Sequence, residues 1–262
     1  MRILSCTLGV AIMGVALVRA AGAEAPKVNE EFEARVFSGA QGKSLPYLLL
    51  RPAGYDAQSG KKYPLLVFLH GAGERGVDNR AQITHGKKVF LAVAKEHGSF
   101  VIAPQCPPNA RWVEVDWSAK SHLIPAEPSV PMGLLLELLP ALEKEFAIDA
   151  DRRYVMGLSM GGYGTWDLIQ RWPAMFAAAV PVCGGGDVTK ADRIARVPVW
   201  AFHGDKDGAV PVSRSRDMIA AIKKAGGAPR YTESPNIGHN VWNVAFREPE
   251  LLPWLFAQKR GK

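Results

Sequence analysis

Cysteine is scarce in this chain: three in 262 residues, at Cys6, Cys106 and Cys183. No paired C-x-x-C, H-E-x-x-H or phosphate-binding glycine loop occurs, so the sequence indicates neither a metal nor a nucleotide cofactor. Lys and Arg exceed Asp and Glu, giving a formal charge of +7, but they are scattered in ones and twos. Without a basic run or an arginine-rich helix, nucleic acid is not an expected partner, and the charge reads as a mildly basic solvated surface. Low-complexity tracts and internal repeats are also missing. With 48% hydrophobic and 22% charged residues, the composition is that of an ordinary globular chain long enough for one large core.

The first 23 residues differ from the rest. Arg2 supplies a positive start, Ile3 to Val18 is apolar, and Ala21-Gly22-Ala23 offers the small-x-small pattern that signal peptidase reads. The apolar run is short for a membrane span and no stop-transfer charges follow it. Residues 1–23 are therefore expected to be a signal peptide removed after Ala23, or alternatively after Ala25. The expected destination is the periplasm or the medium, with no stable membrane anchor after processing. Residues 24–262 then form one catalytic domain.

After a polar junction, Phe32–Ser38 and Ser44–Arg51 read as a hairpin around Gly39-Ala40-Gln41-Gly42. Apolar runs follow at Leu65–Leu69, Phe100–Ala103, Tyr154–Gly157, Ala177–Val182 and Val197–Phe202. Helical patterns at Gln82–Glu96, Met132–Phe146, Gly162–Arg171 and Val212–Ala225 lie between several of them. Apolar strands without polar alternation are buried on both faces, so the expected class is α/β: a mostly parallel central sheet with helices on both faces. Arg230–Glu233 reads as a last strand and Pro249–Lys259 as a closing helix. The proline-rich stretch Gln105–Pro131 is too long for a plain connector. Gly184–Arg196, by contrast, is too short to hold a separate cap domain. Cys106 and Cys183 each follow a strand, about three strand spacings or roughly 14 Å apart, whereas a disulfide needs Cα atoms within about 7 Å. Two buried free thiols are expected.

Gly157-Leu158-Ser159-Met160-Gly161 matches G-x-S-x-G directly after a strand and before a helix. A serine on such a tight turn is lifted out of the sheet, with the next N–H and the helix N-terminus facing developing negative charge. A second turn, His70-Gly71-Ala72-Gly73, ends another strand in small residues. It lets the N–H of Ala72 join that of Met160 as a pair of oxyanion donors. His70 itself reads as structural. When the partners follow in the order Ser, Asp, His, only His203 and His239 come after Ser159, and His203 precedes the best acids. His239 is thus the base, in a loop after the last strand. Of Asp205 and Asp207, the latter sits at the loop tip before a helix and is taken as the acid; Asp205 reads as a turn-former.

These segments resemble the α/β-hydrolase superfamily, and within it the small secreted esterases of the phospholipase/carboxylesterase, polyhydroxybutyrate-depolymerase-like or predicted-peptidase group. Leu69–Gly76 (LHGAGERG), Ala103–Pro107 (APQCP), Gly157–Gly162 (GLSMGG), Cys183–Asp187 (CGGGD) and the HGDKD-to-VP stretch carry the resemblance, which runs from Tyr47 to Trp254. It implies Ser159 as nucleophile, Asp207 as acid and His239 as base, in agreement with the reading from the residues.

The expected activity is cofactor-free hydrolysis of short-chain, aromatic (feruloyl-like) or polyester-type esters. A peptidase, amidase or acyltransferase on the same scaffold is the alternative, ahead of a non-catalytic binding protein, since all three triad positions are filled. Trp112, Trp117 and Trp242, together with His85 in Gln82–Gly86 (QITHG), are candidate pocket residues. Tryptophans equally often wedge loops against a core, and His85 equally suits a helix cap.

Overall fold

The computed structural model describes residues 31–40 and 42–261. The expected signal peptide lies outside them. Among the described residues, no helix is long and apolar enough to cross a membrane.

Eight strands of the described residues form one sheet: β1 (Glu33–Ser38), β2 (Ser44–Leu50), β3 (Tyr63–Leu69), β4 (Phe100–Pro104), β5 (Ile148–Leu158), β6 (Ala178–Val182), β7 (Trp200–Gly204) and β8 (Arg230–Ser234). Their spatial order is β1-β2-β4-β3-β5-β6-β7-β8. β1 and β2 form the expected antiparallel hairpin, β2 joins β4 antiparallel, and every later pairing is parallel. This is the open, mostly parallel sheet of an α/β-hydrolase.

All seven residues of β3 are buried because both faces of the strand are covered. Leu65, Val67 and Leu69 enter one apolar layer and Leu66 and Phe68 the other, following the two-residue period of a strand. The first layer is closed by α2 (Val130–Glu145), α3 (Met160–Arg171) and α4 (Ser213–Lys224), through Leu135, Trp166 and Met218 among others. The second is closed by α1 (Lys87–Glu96), the short α5 (Trp242–Ala245) and α6 (Leu251–Ala257), through Phe90, Ala245 and Leu255.

Several boundaries differ from expectation. The helix expected from Gln82 begins at Lys87, after a 3-10 turn at Ala81–Ile83. The interruption is at Gly86, where the Phe90 ring packs so closely that a Cβ would stand 2.1 Å from it. β5 starts six residues early, at Ile148, where it pairs with Tyr63; its first half is mostly only partly buried and carries polar side chains, so no apolar run marks it. β7 starts late, at Trp200; Val199 lies beside it with a single bridge to Ala179. α5 was not expected, and the closing helix is confined to α6.

The long stretch 105–131 has neither strand nor helix before Val130, but it is held firmly. Arg171 of α3 donates to the carbonyls of Pro125, Ala126 and Glu127, and the Ile124 N–H donates to the Asp187 carboxylate. Between β6 and β7 there is only a 3-10 helix, Val188–Ile194, and no cap domain. Cys106 and Cys183 are both buried and free, as expected.

Candidate active site

The parallel strands β3, β5, β6, β7 and β8 all end at one edge, the usual place for a site in such a sheet. The β5–α3 turn shows why its sequence is so constrained. Ser159 stands at φ 53° and ψ −118°, a conformation costing a non-glycine residue about 1–3 kcal/mol. A Cβ at Gly161 would meet the Leu69 carbonyl oxygen at 1.9 Å, and one at Gly157 would meet the Gly161 oxygen at 2.2 Å. The turn closes only with glycine on either side. Ser159 is then fixed by its N–H donating to the Val182 carbonyl at 2.9 Å.

Two other chain segments converge on this serine. The His239 Nε2 lies 2.8 Å from the Ser159 Oγ, and its Nδ1 lies 2.7 Å from the Asp207 Oδ2. The remaining oxygen of Asp207 accepts the N–H groups of Ala209 and Val210, both at 2.9 Å. The Asp207 side chain is wholly buried, while His239 keeps 27% of its surface. Burial alone would push the Asp207 carboxyl upward. Hydrogen bonds from His203, His239 and the two amides outweigh it and hold the group well below the usual carboxylate range.

Asp205 was expected to be the turn-former, but its Oδ1 is buried without a partner. The turn-forming bonds belong to Asp207 itself. The correction follows from position: Asp207 precedes Ala209 and Val210 by two and three residues, the reach of an aspartate over its own turn.

His203 is the residue that sequence reasoning passed over. It is fully buried, with Nε2 3.1 Å from the Val210 carbonyl and 3.3 Å from the Asp207 Oδ2. Facing two acceptors, Nε2 carries the proton, so Nδ1 accepts from the Ser215 hydroxyl at 2.7 Å. The four-residue spacing from His203 to Asp207 was the available signal. Cys183 was missed as well. Its Sγ lies within 4.8 Å of the ligand atoms of Asp207 and His239. Burial, then the Asp207 charge, raise this thiol well above its ordinary range. It stays protonated, and the other two groups are committed to each other, so the trio is poorly suited to a metal.

The two proposed oxyanion donors stand at helix starts. Met160 opens α3 and Ala72 opens the 3-10 helix Ala72–Glu74, positions whose N–H groups lack an intrahelical acceptor. Their turns adjoin: a Cβ on Gly71 would touch Ser159 Cβ at 3.6 Å and Glu74 Oε2 at 3.0 Å. His70 is structural, as expected. Its Nε2 accepts the Cys106 N–H at 2.9 Å, and burial lowers its pKa to about 4.

The candidate pocket residues part company. Trp242 stands edge-on to His239 with ring centroids 5.5 Å apart, and packs at 5.1 Å on His85, whose Nε2 is 3.3 Å from Glu74. His85 therefore packs on Trp242 and caps no helix, since the N-cap of α1 is Gly86 and no side chain caps it. Trp117 is half-buried beneath the Arg111 guanidinium at 4.3 Å, and its carbonyl accepts the Tyr163 hydroxyl. Trp112 is no pocket residue. It is completely buried between α3 and the end of β3, pressed on Gly164, and donates from Nε1 to the His70 carbonyl at 3.1 Å.

This arrangement has relatives. The family model described as "Putative esterase" matches residues 38–191, more than half the chain. The chain belongs to this esterase family. A solved thermostable esterase is 40% identical over 89% of this chain and 64% of its own, with a TM-score of 0.81. Among curated relatives, the bifunctional acetylxylan esterase/xylanase of Neocallimastix patriciarum is 35% identical over 189 residues, covering 68% of this chain. The poly(3-hydroxyoctanoate) depolymerase of Pseudomonas fluorescens is 28% identical over 181 residues, covering 62% of this chain. The esterase-family chain described here spans 26% of the first of these two proteins and 60% of the second.

Proposed function

We propose that the protein is an exported serine hydrolase of carboxylic esters, with Ser159 as nucleophile, His239 as base and Asp207 as the acid that orients it. The observation that carries this reading is the continuous row from Asp207 Oδ2 through both nitrogens of His239 to Ser159 Oγ, at 2.7 and 2.8 Å. Because the Asp207 carboxylate accepts Nδ1–H, the bare Nε2 faces the serine hydroxyl and can take its proton. As Ser159 attacks the ester carbonyl, negative charge forms on the carbonyl oxygen, and the N–H groups of Ala72 and Met160 hold it. The Nε2 proton then passes to the departing alcohol, and water repeats the sequence on the acyl-enzyme. No metal or organic cofactor takes part.

Short-chain, aromatic or polyester-type esters are the proposed substrates. Ester-cleaving relatives support the class, and the open edge without a cap supports tolerance of bulky or polymeric alcohol portions. Export rests on the leader sequence, and the mature chain is proposed to start at Glu24 or Pro26.

The test is direct. Ser159→Ala should remove nearly all hydrolysis of a soluble 4-nitrophenyl ester while folding is retained, and a fluorophosphonate should label Ser159 alone. Labelling at another residue, or substantial activity in the variant, would overturn the reading.

A further inference from the structure

Arg214, the second residue of α4, is a buried cation without an acid. It is 3% exposed, and among the described residues no carboxylate reaches it within ion-pair distance. Its Nη2 meets His122 Nδ1 and the Gly186 carbonyl, the latter at 3.3 Å. The guanidinium carbon lies 5.6 Å from the centre of the Tyr163 ring, and Nε is sealed against Gly185 with no acceptor. None of these neighbours is negative. His122 is held neutral, since burial first and then the Arg214 charge bring its pKa down to about 4. A guanidinium does not escape by losing its proton, so a buried one ordinarily has a counter-ion.

The same side chain lines a pocket of about 240 Å³ together with Lys120, Ser121, Gly186 and Asp217. Lys120 and Asp217 are both exposed, so the one buried charge of this lining is that of Arg214. Arg214 is linked to the reacting centre through its chain neighbour Ser215, which bonds His203 behind Asp207. Gly184 presses on Gly162 of α3, and Tyr163, which packs on Arg214, comes four residues after Ser159. Cys183, three residues before Gly186, carries the thiol that lies beside Asp207 and His239.

We propose that this pocket is a carboxylate subsite, in which Arg214, assisted by Lys120 and the Ser121 hydroxyl, receives an anionic end of the substrate. The substrate class is then esters whose acyl part ends in a carboxylate, such as monoesters of dicarboxylic acids or the acid terminus of an oligoester. A guanidinium favours such a group because a charged N–H donor bonds a carboxylate oxygen more strongly than a neutral one does. The inference rests on the esterase reading, and its test separates the two.

The probes are 4-nitrophenyl valerate, which is neutral, and the 4-nitrophenyl monoester of glutaric acid, of equal acyl length with a terminal carboxylate. Failure of the natural protein to hydrolyse valerate would count against the esterase reading and leave the pocket to be judged by binding alone. That binding measurement is calorimetry with succinate, with inorganic phosphate as the second anion. Succinate should bind and should inhibit valerate hydrolysis; phosphate binding equally well would assign the pocket to anions at large and overturn a carboxylate subsite. In Arg214→Met the ratio of kcat/KM for the anionic over the neutral ester should fall about tenfold or more, the scale of a lost charged hydrogen bond, and Arg214→Lys should restore part of it. An equal fall on both esters, or no succinate binding by the natural protein at millimolar concentration, would overturn the proposal and make Arg214 a brace between α4 and the 120–124 segment. The succinate measurement keeps the question answerable if Arg214→Met does not fold.

Discussion

The loop Gln105–Pro131 and the segment Pro235–Ala245 both bring tryptophan to the carboxyl edge of the sheet, and Trp112 of the first and Trp242 of the second are used in opposite ways. In the long loop, Trp112 is sealed under α3 and its indole N–H supports the His70 carbonyl, so it serves the core. In the short segment, Trp242 stays half-buried against His239 and His85, at the candidate site. Length did not predict the outcome. The long loop is anchored by Arg171, Asp187 and Tyr163, whereas the short segment carries the proposed base. Residue type and neighbourhood in sequence are thus weaker guides than the contacts the fold provides.

The sharpest way to break this comparison is to disconnect the short segment from its acid. Asp207→Asn should lower kcat by about 10⁴, the cost of holding a triad histidine in the wrong tautomer, while Asp205→Asn should leave the rate within a small factor. Steady-state kinetics on a soluble ester decide it, and the reverse ranking would transfer the role to Asp205. The next test sets the two tryptophans against each other. Trp112→Ala should destabilise the fold by about 3–5 kcal/mol, with kcat/KM of the folded fraction little altered. Trp242→Ala should do the opposite, raising KM by roughly ten- to thirtyfold, which corresponds to about 2 kcal/mol of apolar contact, with little change in thermal stability. If both variants behave alike, the distinction between the two regions fails.

The smallest effect concerns acid. His70 and His122 are both held near a pKa of about 4, below their ordinary 6.5, chiefly by burial. The Arg75 charge adds to this at His70, where the Gly71 carbonyl opposes it. At His122 the Arg214 charge adds to it and Asp187 opposes it. The folded state therefore binds protons more weakly than the unfolded chain. Stability from these groups is complete above about pH 6.5 and is lost as the pH falls from there toward 4. Melting temperature followed across that window should drop, and His122→Asn should flatten the curve. An unchanged slope in the variant would show that His122 does not contribute.

Much of the fold was legible because it rests on local rules. Apolar runs such as Leu65–Leu69 and Ala177–Val182 mark doubly covered strands wherever they occur, and the glycines at 157 and 161 are demanded by backbone atoms that leave no room for a Cβ. Boundaries slipped where one tertiary contact intervened, as at Gly86 under Phe90, or where a strand ran on into partly exposed polar residues, as at Ile148–Arg153. In the site, order along the chain was enough to separate His239 from the other histidines. It gave no view of what lies behind Asp207, because His203 meets the carboxylate, and Ser215 of α4 meets His203, only in the packed fold.

The sequence by itself determined the class of sheet, the strained serine turn and the identity of the three residues that meet there. Each follows from a constraint that acts within a few residues: hydrophobic period, the room a glycine leaves, and the position of a loop after a strand. Tertiary structure alone decided which tryptophan is buried, which aspartate oxygen is held by backbone amides, and that Arg214 lies in the interior with no carboxylate among the described residues within ion-pair distance. These outcomes depend on surfaces brought together from distant parts of the chain, and burial of a charge or a ring is a property of those surfaces rather than of the residue that carries it.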